Sequence, residues 1–203
     1  MILITGATGF IGTRLAARLA ADGMAMRCFV RDGSKRDRPP APAEVVTTLD
    51  TDVDTVFHLA GVTKALAKSD YVAGNVALTQ TLLDACARHP PRRFVHVSSI
   101  AATNPVSAYG ASKLAGEELV RRSAIADRAV IIRPPVVYGP GDTDVLRFFR
   151  AVASGWIVSA GRGQRVSVIH VDDLVEALLV AGRCATAGGS TYCVSNPDPV
   201  EWL

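Results

Sequence analysis

Thr5-Gly6-Ala7-Thr8-Gly9-Phe10-Ile11-Gly12 decides how the rest of this chain is read. It follows Met1-Ile2-Leu3-Ile4, a short apolar run suited to a buried strand. Beyond it, Leu15, Ala16, Leu19 and Ala20 recur at helical spacing. A strand that turns sharply into a helix needs a residue tolerant of unusual backbone angles, which Gly6 supplies. Gly9 lets the backbone approach a ligand, and Gly12 lets helix and strand pack closely. The helix then offers free N–H groups and the positive end of its dipole, a setting suited to a pyrophosphate. The spacing is G-x-x-G-x-x-G, not the G-x-G-x-x-G of the usual dinucleotide fingerprint. Its place at the first strand–helix junction therefore carries as much weight as the glycines.

A second motif lies well downstream. Tyr109-Gly110-Ala111-Ser112-Lys113 sets a phenol and an ammonium one helical turn apart on one face. A neighbouring cation favours the phenolate and lowers a tyrosine pKa from its ordinary value of about 10. A general base works best with its pKa near the operating pH. The pair is common on any helix when met alone. After a dinucleotide turn and an apolar run ending in Val97-Ser98-Ser99, it points to hydride transfer at a carbon bearing oxygen.

These motifs, with His58-Leu59-Ala60-Gly61, the stretch from Arg133 through Pro134-Pro135 to Asp142, and Val168 to Leu174, resemble the extended short-chain dehydrogenase/reductases, the NAD-dependent epimerase/dehydratase family. They occur in the family's order over almost the whole chain. The resemblance implies that Tyr109 exchanges a proton with the substrate oxygen and that Ser99 hydrogen-bonds the same oxygen. Lys113 would bind the nicotinamide ribose and depress the tyrosine pKa. It places Gly6, Thr8, Gly9, Phe10, Ile11 and Gly12 against the cofactor, with Leu59, Ala60 and Gly61 beside its ribose or nicotinamide. Arg133 is expected at the nicotinamide end, and Asn75 is expected to support the site by hydrogen bonding. His58 reads as a structural histidine.

Cofactor choice turns on the end of the second strand. Met26-Arg27-Cys28-Phe29-Val30 is followed by Arg31-Asp32. An acidic residue there suits NAD and an arginine suits the 2′-phosphate of NADP. Arg31, reinforced by Lys35 and Arg36, favours NADP over NAD.

Alternating apolar runs and amphipathic stretches predict strands near residues 1–5, 25–30, 44–48, 54–59, 92–98 and 129–133, with a late strand around Tyr192–Asn196. Helices are predicted near 11–22, 71–88, 107–126, 143–154 and 172–183. Such alternation implies an α/β fold: a Rossmann-type doubly wound parallel sheet with helices on both faces. The expected organisation is a dinucleotide-binding domain over 1–140 and a partial substrate-binding region over 141–203, interleaved with the last sheet elements. Asp198 to Leu203 resembles the start of a family helix.

Two connections are shorter than that fold leads one to expect. In the strand order 3-2-1-4-5-6, the link from the third strand to the fourth crosses the sheet. Three strand spacings are about 14 Å, and the chain must also return along the strand. Little more than Asp50 to Thr55 is available, and six extended residues reach about 20 Å. Ser99 and Tyr109 are also only ten positions apart, where extended members carry a longer substrate-facing loop.

Composition narrows the function classes. The chain has 203 residues, 49% hydrophobic and 20% charged, enough for a sizeable core and unlike a disordered segment. A net charge of +3, without an aromatic-interleaved basic stripe, gives no reason to expect nucleic acid. No apolar stretch is long enough to span a bilayer. Cys28, Cys86, Cys184 and Cys193 lie far apart, so no metal site is expected and reduced thiols in a cytoplasmic protein are. The expected partner is a small molecule. A homodimer is expected through the helices near 71–88 and 107–126, which resemble the family's dimer-forming pair. The leading expectation is an NAD(P)-dependent epimerase or oxidoreductase acting on a nucleotide sugar. An NADPH-dependent ketoreductase on a non-sugar carbonyl is the near alternative, and a non-catalytic dinucleotide sensor is the alternative from another class.

Overall fold

The computed structural model describes residues 1–30, 42–49, 52–155, 164–184 and 188–202. Strand β1 (Ile2–Thr5) is buried along its whole length and lies inside the main sheet, between β2 (Met26–Phe29) and β4 (Thr55–His58). The full order is β10-β6-β5-β4-β1-β2-β3, with β3 at Glu44–Val46, β5 at Arg93–Val97, β6 at Ala129–Arg133 and β10 at Ser190–Cys193. All six pairings are parallel. The first six strands thus take the expected order 3-2-1-4-5-6, and β10 extends the sheet beyond β6.

Successive side chains on a strand point to opposite faces, and the two cores follow that alternation. Ile2, Ile4, Val95, Val97, Val130 and Ile132 face one side, against α1 (Phe10–Ala21) and α6 (Val171–Arg183). Leu3, Phe94, Ala129 and Ile131 face the other, against Leu82, Leu83 and Cys86 of α3 (Leu78–Arg88) and Val120 of α4 (Ala108–Arg122). Strands buried on both faces read as continuous apolar runs because helices cover both sides of a parallel sheet.

The short crossover from β3 to β4 is described on both sides of residues 50–51. On its far side Val53 packs into the α3–α4 core, and the Asp54 N–H donates to the Met1 carbonyl at 2.9 Å. Downstream of β6, β7 (Val136–Tyr138) pairs in parallel with β9 (Val168–His170). Strand β8 (Gln164–Val166) pairs antiparallel with β11 (Val200–Trp202). The expected helix start at Asp198–Leu203 is therefore corrected. Val200–Trp202 is a strand, because β8 offers it an edge that local sequence does not reveal.

The helix predicted over 71–88 is not uniform. A short α2 (Lys68–Val72) runs into a π-helical turn at Ala73–Ala77 before α3 begins. Such turns commonly mark functional sites, and this one carries Asn75. Among the described residues, no helix is long and apolar enough to cross a membrane.

Candidate active site

The strand order reverses between β1 and β4, the position where open α/β sheets bind ligands beyond the strand carboxyl ends. A cleft of about 460 Å³ opens there, between the loops that leave β1, β4, β5 and β6. Its floor at β1 is the glycine turn. Gly6 has φ +76°, and a Cβ on it would sit 2.6 Å from the Ala60 nitrogen. A Cβ on Gly12 would sit 2.0 Å from the Gly6 carbonyl oxygen. At Gly6 and Gly12 backbone contact leaves no space for a side chain. Gly9 precedes α1 in extended conformation, and no side chain of that residue caps the helix. The first-turn N–H groups remain aimed at the cleft, a donor set that fits an anion.

The loop after β4 is set by a chain of hydrogen bonds. The Thr79 hydroxyl donates to the Asn75 carbonyl at 2.8 Å, so its proton is committed and it accepts from His58 Nε2 at 2.8 Å. His58 Nδ1 is then an acceptor and takes the Thr5 hydroxyl proton at 2.7 Å. Thr5 Oγ1 in turn accepts from the Ala60 N–H at 3.3 Å. His58 is buried, and burial together with the Lys113 charge holds its pKa down to about 3. It is a neutral structural spacer, as its sequence context suggested. Asn75 completes the frame: it accepts from the Val62 N–H at 2.7 Å and donates to the Val62 carbonyl and to Ser112 Oγ.

Helix α4 starts at Ser107, whose hydroxyl accepts from the Gly110 N–H at 3.0 Å. With this cap at its start, α4 brings Tyr109 to the cleft that Ser99 also lines. Lys113, one turn further, is buried and donates to the Val97 carbonyl at 2.7 Å. Its burial lowers its pKa to about 8. The expectation that Lys113 depresses the Tyr109 pKa is corrected. Burial raises the phenol, Ser99 pulls it back, and Tyr71 raises it further, while the ammonium is engaged with a carbonyl.

The structure brings Gly6, Gly9, Phe10, Ile11, Gly12, Leu59, Gly61, Ser99, Tyr109 and Lys113 to this one cleft. Thr8 is exposed and outside the lining, and Ala60 contributes its N–H to Thr5. Arg133 stands behind the cleft wall rather than in its lining. Its guanidinium forks onto Glu117 at 2.8 and 2.7 Å and lines no part of the cleft. Arg31, with Asp32, Lys35, Arg36 and Asp50, lies outside the described residues.

Sequence reasoning missed the outer wall, formed by Val62, the backbone after Tyr138 and the start of α5 (Asp144–Ala153). A signal was present in Asp142. Its carboxylate accepts from the N–H groups of Asp144 and Val145 at 3.1 and 2.7 Å, an aspartate cap before an apolar run. Lys64 from the β4 side forms an exposed ion pair with Asp144 across the cleft mouth.

A doubly wound sheet with an anion-ready glycine turn, and a serine, tyrosine and lysine converging beside it, defines a dinucleotide-dependent enzyme of the short-chain dehydrogenase/reductase class. Residues 2–194 match the model of the NAD dependent epimerase/dehydratase family, and the chain belongs to that family. It is 37% identical to a ceramide reductase of Caulobacter vibrioides (strain NA1000 / CB15N), over all of this chain and 67% of that protein. It is 27% identical to a 4-hydroxy-2-methyl-3-oxo-4-farnesyl-3,4-dihydroquinoline-1-oxide ketoreductase of Stigmatella aurantiaca, over 98% of this chain and 69% of that one. Among solved structures, MoeE5 in complex with UDP-glucose and NAD superposes with a TM-score of 0.83 at 28% identity, over 99% of this chain and 78% of that one. The chain thus spans about two thirds to three quarters of these relatives' length. The Caulobacter alignment runs to 220 positions against 203 residues here, a difference of 17. Internal connections are therefore shorter in this chain than in that relative.

Proposed function

We propose that this chain reduces a ketone to a secondary alcohol, or runs the reverse reaction, by hydride transfer with a nicotinamide dinucleotide. Tyr109 is the proton donor, Ser99 holds the substrate oxygen and Lys113 binds the cofactor ribose. The observation that carries the reading is the convergence of Ser99, Tyr109 and Lys113 on the cleft whose floor is the glycine turn. A nicotinamide dinucleotide held on the glycine turn would supply the hydride for the new C–H bond, with the carbonyl π electrons passing to oxygen. The Tyr109 O–H breaks and its proton goes to that oxygen. The phenolate left behind is stabilised by the Ser99 hydroxyl. The raised pKa of buried Tyr109 keeps it protonated at neutral pH, the state a reductase needs.

Of the two substrate classes the sequence suggested, the non-sugar ketone is the better supported. Two of the named relatives are a ceramide reductase and a ketoreductase of a farnesylated quinoline oxide. The substrate side of the cleft here is mostly apolar, with Val62, Pro134, Pro135, Val136, Val137 and Val145, and its carboxylates are Asp142 and Asp144. NADP remains the favoured cofactor through Arg31, on sequence grounds.

Replacing Tyr109 by Phe tests the reading. Turnover with a long-chain 3-ketone is expected to fall by about 10²–10⁴-fold, while binding of NADPH, followed by nicotinamide fluorescence, stays within about threefold. Unchanged turnover would remove the tyrosine from the mechanism. Tight dinucleotide binding by the parent chain, with no turnover on any ketone, would favour a sensor.

A further inference from the structure

Three side chains descend the inner side of α4 at four-residue steps: Tyr109, Lys113 and Glu117. The first two are used by the proposed reaction. Glu117 is completely buried, and it accepts two hydrogen bonds from Arg133 and a third from Arg121 at 2.6 Å. Arg133 is the last residue of β6, directly before the Pro134-Pro135 pair that lines the cleft. The carboxylate therefore ties the reacting helix to the strand that carries one wall of the site.

A tie alone needs no charge. Buried ion pairs can often be exchanged for apolar pairs of similar volume without loss of stability. An apolar pair cannot place a negative charge one turn below a buried ammonium. The other titratable groups facing Lys113 from the surrounding elements supply no counter-charge. His58 on β4 and His96 on β5 are held neutral by burial and by the lysine itself. Arg133 on β6 and Arg121 on α4 are cations, and Tyr109 is a protonated phenol.

We infer that Glu117 is a positioning residue that acts through Lys113, serving as the counter-charge that keeps the buried ammonium protonated where the proposed reaction needs it. This rests on the assignment of Lys113 given above. Burial lowers the Lys113 pKa to about 8, and Glu117 opposes that shift. Removing the carboxylate lowers the lysine pKa further. The alkaline limb of any activity that needs the charged lysine then moves to lower pH.

The chain has only four lysines, Lys35, Lys64, Lys68 and Lys113, so lysine labelled with carbon-13 at Cε gives a spectrum of four titrating signals. The Lys113 signal is assigned by its loss in Lys113→Met. The measurement compares the parent chain, Glu117→Gln, and the double variant Glu117→Met/Arg133→Leu, which removes Arg133 together with its partner and leaves Arg121 its bond to Thr191 Oγ1. In Glu117→Gln the Lys113 midpoint is expected to fall by at least one pH unit, a tenfold loss of proton affinity, with the alkaline limb of turnover falling in step; in the double variant, which also loses the Arg133 charge, it falls by a smaller amount. A folded double variant with the parent's midpoint and pH profile would make Glu117 a structural tie only and overturn the inference. A parent midpoint below pH 7 would overturn it without any variant. A shifted midpoint in a chain that turns over no ketone would uphold the electrostatic role and count against the hydride-transfer reading, so the two fail separately.

Discussion

The two walls of the cleft are built differently. The cofactor wall consists of β1, the glycine turn, the loop after β4 and α4. Its parts are fixed by burial, by backbone contact and by the hydroxyl–imidazole chain through His58. The outer wall rests on α5, which has no buried residue and is held by the Asp142 cap and the Lys64–Asp144 surface pair. The geometry needed for chemistry is thus stored in the part of the fold that costs most to deform. The part that meets the variable end of a substrate is held by contacts worth little individually.

That contrast can be broken most sharply with a leucine on each side. Leu174 of α6 is fully buried in the core behind the cofactor wall, whereas Leu146 of α5 is 42% exposed. Leu174→Ala is expected to cost about 2–5 kcal/mol, and Leu146→Ala less than about 1 kcal/mol by the exposed-surface rule, both read from urea unfolding. Equal costs would show that α5 is packed as firmly as the core.

Acid sharpens the comparison next. Both His58 and His96 have folded pKa values below the ordinary one. The unfolded chain therefore binds more protons as pH falls below about 6.5, and stability present above that value is lost below it. The expected loss is about 1.4 kcal/mol per histidine for each pH unit below about 6.5, measured as the urea midpoint at pH 7.5 and pH 5.5. A flat profile would mean that these rings are hydrated and free to protonate.

The smallest effect belongs to the outer wall. Asp142→Ala removes the α5 cap at a cost of about 1 kcal/mol. The ketone KM is expected to rise severalfold, with NADPH binding unchanged. A change in dinucleotide affinity would show that the two walls are coupled.

The parts of this site that were legible in sequence are those fixed locally. Gly6 and Gly12 announce themselves because only glycine fits that turn, and Tyr109 and Lys113 because one helix sets their spacing. The capture of the Arg133 guanidinium by Glu117 was not legible, because that partner is 16 residues away on another element. The same Glu117 continues the four-residue spacing of Tyr109 and Lys113, a signal open to sequence reading. The Tyr109 pKa was read in the wrong direction because spacing reports a neighbour's charge but not burial. Val200–Trp202 became a strand through an edge supplied by β8. The π-helical turn at Ala73–Ala77 has no apolar periodicity of its own that separates it from the helices on either side.

The chain of Thr5, His58 and Thr79 has one further consequence. Each hydroxyl owns a single proton, and both threonine protons are spent in the same sense, toward Asn75 and toward His58 Nδ1. The sequence of donors and acceptors from the Ala60 amide to the Asn75 carbonyl therefore runs one way, like links that fasten only head to tail. Reversing any link would set two protons, or two lone pairs, against each other. The imidazole works here as a rivet with a fixed front and back, and the two ends it joins, the backbone beside the cofactor and the turn that bears Asn75, share one alignment across the sheet.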